Sequence, residues 1–539
     1  MLRCMTVRRE ETEEQCMEQK KMRKAKMQKE TGYDTYGGTW SGSITVFLSL
    51  LCIIFFSLIC TAAESARIQG ARTQTANIAG MATFSVLGEF EKALLEDYEI
   101  FAVDGAYGSG SFKSEKVKNR LEYYLKLNTD PKEGVFSVWC FDPWNLELTD
   151  TELTGYALLT DDFGEPFYQQ AVRYMKTNAA SLALDHLKEY SEHTNTIQRW
   201  EKEYEKRRKE NDGQLSGLED KKKQKLEQLE SEAAENGTEI VEVPKTENPL
   251  KAIAKLRRKS TLEIVTGGKK ISKKKVRTGK LPSKHRPKSG TLKLKKENSG
   301  FLANTLFREY LMLHFPNYLS SEKTGKLDYQ IEYLLGGKVS DKKNLKYVVN
   351  RLLLIREGMN YLYALEAPEM NGRAEGLAVT LTGFLGMPAL TAATKHALLL
   401  AWAYGESLID VRTLLDDGKV PLFKDAGSWK LTLENLGRIT EILEQGNTGE
   451  TSGLSYAEYL RILLNLGSLT DQKMRALDMI QCNLRENPKS ADFYAANCVV
   501  GTEMTGKWKC APVFFRVPSA FLGVSSETLV FEQQAGMAY

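Results

Sequence analysis

Residues Ile44–Ala63 read ITVFLSLLCIIFFSLICTAA, twenty residues without a charge. As a helix they span about 30 Å, the thickness of a bilayer's hydrocarbon core. No other segment of the chain is as long and as apolar. The expectation is a single membrane-crossing helix at 44–63, with the bulk of the 539 residues on one side of it. The flanks give the side. Lys20, Lys21, Arg23, Lys24, Lys26 and Lys29 crowd the approach, whereas Glu64, Arg67 and Arg72 follow more sparsely. The positive-inside rule therefore places residues 1–43 in the cytoplasm and the rest outside the cell membrane. A cleaved secretory signal is the alternative. Its apolar core would be about 7–15 residues, ending at a small-residue site such as Thr61-Ala62-Ala63. The long run and the long charged leader favour an uncleaved anchor.

The net charge is +4, and its distribution matters more than its size. Between Thr266 and Lys296 stand thirteen Lys or Arg and no acid, broken by Gly267, Gly268, Gly279, Pro282, Pro287 and Gly290. That composition reads as a solvated linker. Eight cysteines are too few for a disulfide scaffold at this length. Cys4 and Cys16 fall in the leader, and Cys52 and Cys60 in the apolar run. Of the outer four (Cys140, Cys482, Cys498, Cys510), the nearest pair, Cys498 and Cys510, is the candidate disulfide; free buried thiols are the other reading.

Hydrophobic spacing then divides the chain. The membrane helix continues outward through Ile68, Ala71, Thr75, Ile78 and Ala82, a small-residue face suited to close helix packing. Residues 64–194 read as this pilin-like helix plus a small α+β module. Its strands are expected at Tyr98–Val103, Phe136–Cys140 and Ala157–Leu159, with an amphipathic helix at Lys113–Leu127 and another from Pro166. Residues 195–299 read as a charged helical hairpin or coiled coil turning at Asn211-Asp212-Gly213, followed by the Lys-rich linker. Asn248-Pro249 opens a short helix within that stretch. Residues 300–539 read as a helical domain. Its helices run from Ser340 to about Ala364, from Pro388 to Leu415, and from a Ser455–Glu458 capping box through Leu466. A β-hairpin turning at Thr505-Gly506 ends it. The class is mainly α with a smaller β part.

Several blocks resemble a known family. Gly42–Leu50 (GSITVFLSL), Glu64–Arg67 (ESAR) and Leu95–Gly105 (LEDYEIFAVDG) are similar to an uncharacterised family of single-pass membrane proteins from clostridia-like bacteria. So are Asp328–Leu335 (DYQIEYLL), Asn344–Glu357 (NLKYVVNRLLLIRE), Asp410–Arg412 (DVR), Gly418–Leu422 (GKVPL) and Leu477–Arg485 (LDMIQCNLR). That family is similar at its N-terminus to the pseudopilins of Tad (tight adherence) pilus systems. The resemblance implies a pilus or secretion context. Phe47 stands where a type IV prepilin carries the Glu that follows its cleavage point.

Motifs for chemistry are sparse. Gly501–Lys507 (GTEMTGK) has the glycine and lysine spacing of a phosphate-binding loop. Trp508 follows instead of a hydroxyl for Mg²⁺, so the segment reads as a turn. The five His form no metal-ligand spacing. No Ser sits in a nucleophile elbow. Acids inside apolar helices are more informative. Asp328 and Glu332 are four apart, as are Glu406 and Asp410, and Arg351 and Arg356 lie on the helix between them. They read as buried ion pairs tying helices together; an acid/base or cation site is the alternative. Lys273, Lys274, Lys275 and Arg277 are the candidate contact for a polyanion. Without interleaved aromatics they do not suit nucleic acid, which leaves anionic wall polymer or lipid headgroups.

The sequence thus predicts a non-enzymatic single-pass surface protein, a structural or assembly component of a Tad-like pilus or secretion apparatus. Its partners would be the bilayer and other pilin-like or assembly proteins. Its assembly helix would carry Ile44, Phe47, Leu51, Phe55, Glu64, Arg67, Ala71 and Ala82. No catalytic residue, cofactor or metal is expected. The alternative is a membrane-tethered extracytoplasmic enzyme, or an anchor gripping anionic wall polymer.

Overall fold

The uncharged run and its small-residue continuation form one helix, α1 (Ser41–Leu87). At 1.5 Å per residue it is about 70 Å long. The computed structural model describes residues 41–130, 143–178, 184–236, 249–285, 288–444, 452–516 and 527–539. Residues 1–40 of the leader, the strand expected at Phe136–Cys140, and Cys4, Cys16 and Cys140 lie outside these residues.

The other elements are α2 (Lys92–Tyr98), β1 (Val103–Asp104), α3 (Ser114–Thr129), β2 (Leu146–Leu158), α4 (Asp161–Asn178), α5 (Leu184–Asn236), α6 (Pro249–Arg258), α7 (Thr261–Thr266), α8 (Gly300–His314), α9 (Gln330–Gly336), α10 (Asp341–Glu366), α11 (Pro368–Thr382), α12 (Pro388–Leu415), α13 (Ile439–Glu444), α14 (Tyr456–Leu466), α15 (Leu469–Leu484), β3 (Cys498–Cys510) and β4 (Leu529–Ala538). The chain is mostly helical, with one small antiparallel sheet.

The chain divides into two compact units. Among the described residues, the first contains α1 up to Ala71, Pro143–Asn145, and residues 511–516 and 527–529. Ile44, Phe47, Ile54 and Phe55 are each more than half exposed there, while Leu51 is half-buried. Among the described residues, α1 is the helix long and apolar enough to cross a membrane.

In the second unit, β3 is the hub of the sheet. β2 pairs antiparallel along its whole length, from Leu146 opposite Cys510 to Leu158 opposite Val499. The other edge of β3 is shared by β1, at Val103–Val499, and by β4. One face of the sheet packs on α3 and the end of α1. Ile78, Ala79, Ala82 and Val86, spaced along one helical stripe, meet Val117, Leu121, Leu125, Met504 and Trp508 in a single buried cluster. The small-residue face at Ala79 and Ala82 is therefore covered by the chain's own sheet. The opposite face joins the larger core through Ala157, Cys498 and Val500. In that core α12 is buried almost all round from Leu398 to Leu415.

Four expectations need correction. The charged stretch does not turn at Asn211-Asp212-Gly213, because α5 runs through it unbroken. A helical Gly costs about 1 kcal/mol. Strong helix formers and the i,i+4 pairs Glu203–Arg207 and Arg208–Asp212 surround this one. The N-terminal half of α5 is also held by packing. Tyr204 is fully buried against Tyr361, and Trp200 meets Phe423 edge-on. Second, Tyr98–Val103 is not a strand: Tyr98 ends α2, Glu99 caps it in the left-handed region, and pairing begins at Val103. Third, no disulfide joins Cys498 to Cys510. They occupy the two ends of β3, roughly 40 Å apart at strand rise.

Fourth, the C-terminal hairpin is β3 with β4, and its turn is not at Thr505-Gly506. Gly506 lies inside β3, where its missing side chain serves packing. A Cβ there would sit 2.4 Å from the Trp508 ring. Trp508 is fully buried and donates its indole N–H to Thr129 Oγ1 at 3.0 Å. Gly506→Val should therefore overpack this site and lower stability by about 1–3 kcal/mol, read as a fall in denaturant midpoint at unchanged m-value. An unchanged midpoint would show that the ring is free to move aside.

Candidate functional site

Two of the four apolar-helix acids meet, around a cation that sequence reasoning did not single out. α10 and α12 pack together and bring Arg356 against Asp410, Nε to Oδ2 at 3.0 Å, both side chains essentially inaccessible. Lys424, from the irregular segment after α12, reaches in to contact Asp410 at 2.7 Å and also pairs with Glu406. Every arm of this knot is hydrogen-bonded. Arg356 donates to the carbonyls of Pro421 and Leu422, to Tyr459 Oη and to Asn360 Oδ1, at 2.8–3.1 Å. Asn360 in turn donates to Asp410 and Ser407. Glu406 accepts the backbone N–H groups of Lys430 and Leu431 at 3.0 and 2.7 Å.

Four charges that cancel, with their lone pairs filled, satisfy the condition for burying ions. Burial alone would raise both carboxylates. Arg356 and Lys424 outweigh it at Asp410 and hold its pKa below the usual range, whereas Glu406, sharing only Lys424, stays raised. The knot ties residues 420–431 to the helix core. Removing Arg356 should leave a buried negative charge uncompensated. Arg356→Met is expected to cost about 3–5 kcal/mol, and adding Asp410→Leu should recover part of that loss. A double variant as unstable as the single one would show that the pair's charge balance is not what matters.

The other predicted members lie elsewhere. Arg351 pairs with Glu201 on α5 at 2.9 Å. Asp328 precedes α9 and pairs with Lys274 at 2.8 Å. Glu332 is alone among aromatics: it accepts Tyr456 Oη–H at 2.7 Å and the Tyr318 N–H at 2.8 Å, and its Oε2 has no partner. Burial pushes its pKa up to about 7, against the partial relief of those two bonds. The folded chain then holds a proton that the unfolded chain loses between about pH 4.5 and 7, so stability falls as pH rises through that window. Glu332→Gln keeps both accepted bonds. It should raise stability at pH 8 by about 1–3 kcal/mol and change little near pH 4.5, measured by urea unfolding at both values. Equal effects at the two pH values would refute the titration.

The basic segment is not a solvated linker. Residues 267–285 and 288–299 run as a strap, and two buried carboxylates and a half-buried one fasten it at three places. Asp341 accepts Ser272 Oγ–H at 2.6 Å and the N–H of Asp328 and Tyr329. Asp478 accepts the Ser283 N–H at 2.9 Å, its hydroxyl, and Tyr333 Oη–H at 2.7 Å. Asp161 accepts the N–H of Gly290 and Leu158 at 2.8 and 2.7 Å. Burial raises the pKa of all three against those bonds. Beyond these clamps the Gln169 amide exchanges two bonds of 2.8 Å with the Asn298 backbone. With its backbone so fastened, the strap turns Lys273, Lys275, Arg277 and Lys280 outward. Residues on both sides of Gly300 belong to one compact unit.

In the first unit, Glu64 and Arg67 form a second closed pair just beyond the apolar run. Arg67 reaches Glu64 Oε1 at 2.5 Å and donates to the carbonyls of Trp144 and Ala511. Glu64 accepts the N–H groups of Val513 and Phe514 at 3.3 and 2.8 Å. Ala71 is fully buried. Among the described residues, no group of three or more His, Cys, Asp or Glu forms a metal-ligand set.

Residues 239–510, just over half of the chain, match a family of unknown function (DUF5702), and the chain belongs to that family. The matched region contains the strap, the ion-pair knot and β3. Neither the curated proteins nor the solved structures provide a match.

Proposed function

We propose that this member of a family of unknown function is a single-pass membrane protein of the cell surface. In this reading its folded part is a structural or assembly component, of the kind a Tad-like pilus or secretion apparatus uses. The observation that carries it is α1, whose apolar first half displays Ile44, Phe47, Ile54 and Phe55 to the surroundings. Residues 44–63 include twelve Leu, Ile, Phe or Val. At a few tenths of a kcal/mol each, they favour membrane insertion by roughly 4–7 kcal/mol. The Lys-rich leader argues for a cytoplasmic N-terminus.

The non-enzymatic reading is supported by how the acids are used. Asp410, Glu406 and Asp328 are each closed by a cation, which suits tying elements together better than proton transfer. Lateral contacts with like helices would run through the exposed side chains of 44–63. The face at Ala79 and Ala82 is already occupied by the sheet.

Replacing Ile53 and Phe56 by Arg should move the protein from the carbonate-resistant membrane fraction to the soluble fraction. Continued membrane retention of that variant would remove the anchor reading. Shearing intact cells separates the remaining alternatives. Recovery in a filament fraction identifies a pilus subunit. Retention in the membrane, with the part after Ala63 open to added protease, identifies an anchored component.

A further inference from the structure

Where the strap crosses the end of α15, a cavity of about 740 Å³ opens between them. Arg277 and Lys280 enter it from the strap, Lys326 from the loop before α9, and Arg485 from the residue that caps α15. One acid, Glu486, lines the same cavity, and it is paired with Lys326 at 2.8 Å. Among the described residues Arg277 has no acidic partner, so the cavity carries a net excess of three positive charges. Like charges held around one opening repel, and they persist because surrounding contacts fix them. Tyr494 supplies that fixing. The Arg485 guanidinium lies 4.4 Å from its ring centroid, and Lys280 Nζ lies 5.0 Å from the same centroid and 3.3 Å from the hydroxyl. Arg485 is also held by its bond to the Ala491 carbonyl at 2.8 Å. Two cations separated by more than two hundred residues in sequence are thus set on one aromatic ring before any ligand arrives. Cys482, beside them, stays a neutral thiol, because burial pushes its pKa up to about 12.

The geometry points to this cavity as a binding site for a phosphate-bearing anion. Two guanidinium groups offer the paired donors that match phosphate oxygens, and two ammonium groups supply further charge. A single carboxylate would leave most of that charge unbalanced, whereas a phosphate or a run of phosphodiesters would not. The site does not depend on how the chain is anchored. Of the four residues picked from sequence for polyanion contact, only Arg277 lines the cavity. Lys274 is taken by Asp328, and Lys273 and Lys275 stand on the strap outside it.

The test uses the full-length protein in detergent, titrated with pyrophosphate and with short-chain polyphosphate at low and moderate salt. Flotation with phosphatidylglycerol vesicles, against neutral vesicles, runs alongside. Wild type should bind at least one phosphate probe with an affinity that falls as salt rises. Arg277→Glu with Arg485→Glu should weaken it at least tenfold at an unchanged melting temperature. Lys221→Glu with Lys222→Glu makes the same charge change on the exposed part of α5 and should leave binding intact. Arg277→Glu alone, at an exposed side chain without an acidic partner, covers the case in which the Arg485 change perturbs folding. Binding to polyphosphate identifies a free or polymeric phosphate ligand. Binding to the anionic vesicles alone identifies a lipid headgroup. The proposal is overturned if no probe binds, if the cavity variants bind like wild type, or if the α5 control loses as much affinity as they do.

Discussion

An extended segment can lie on a folded surface only if its polar groups find partners, and here three carboxylates supply some of them. Asp341, Asp478 and Asp161 project from the start of α10, the body of α15 and the start of α4. Each accepts from the strap while also bonding a second part of the chain. The strap would otherwise repel itself and stay in solvent. Clamped in this way, it joins the sheet to the helical core. These carboxylates are costly to bury alone, and their accepted bonds offset that cost.

The ion-pair knot applies the same logic to full charges. Arg356, Asp410, Lys424 and Glu406 cancel within a few ångströms, and the lone pairs left over meet backbone N–H groups and amides. Such a knot adds modest net stability compared with a well-packed apolar core. Its stronger effect is on arrangement, because a displaced loop between Val420 and Leu431 would strand a charge. The blocks Asp410–Arg412 and Gly418–Leu422, distant from Arg356 in sequence, are brought together by it.

Much of the helical frame was legible because its signals are local. Pro388 and Leu415 bound α12, Ser340 and Asp341 open α10, and the Ser455–Glu458 box is formed with both reciprocal bonds. The apolar run and the helix it begins were equally plain. What sequence did not show depends on distant partners. Ser283 meets Asp478 across 195 residues, and Gly290 meets Asp161 across 129. No periodicity encodes that, so a clamped strap reads as a linker. Lys424 sits in an irregular segment with no face to place it. Gly506 read as a turn because glycine signals both a turn and a close approach, and only the position of the Trp508 ring distinguishes them. Asn211-Asp212-Gly213 failed in the opposite direction, since its neighbours carry the helix across.

The position of β3 has a consequence for how the chain acquires its fold. This strand is the partner of β1, β2 and β4, and its Trp508 completes the cluster around the end of α1. It emerges about 340 residues after β2. At roughly 5–20 residues per second of synthesis, the early strands and the buried stripe of α1 wait some 20–70 s for their partner. Throughout that interval β2 lacks its partner strand, and the cluster that α3 and α1 share lacks Met504 and Trp508. The native sheet therefore closes only after the C-terminal part of the chain has been made.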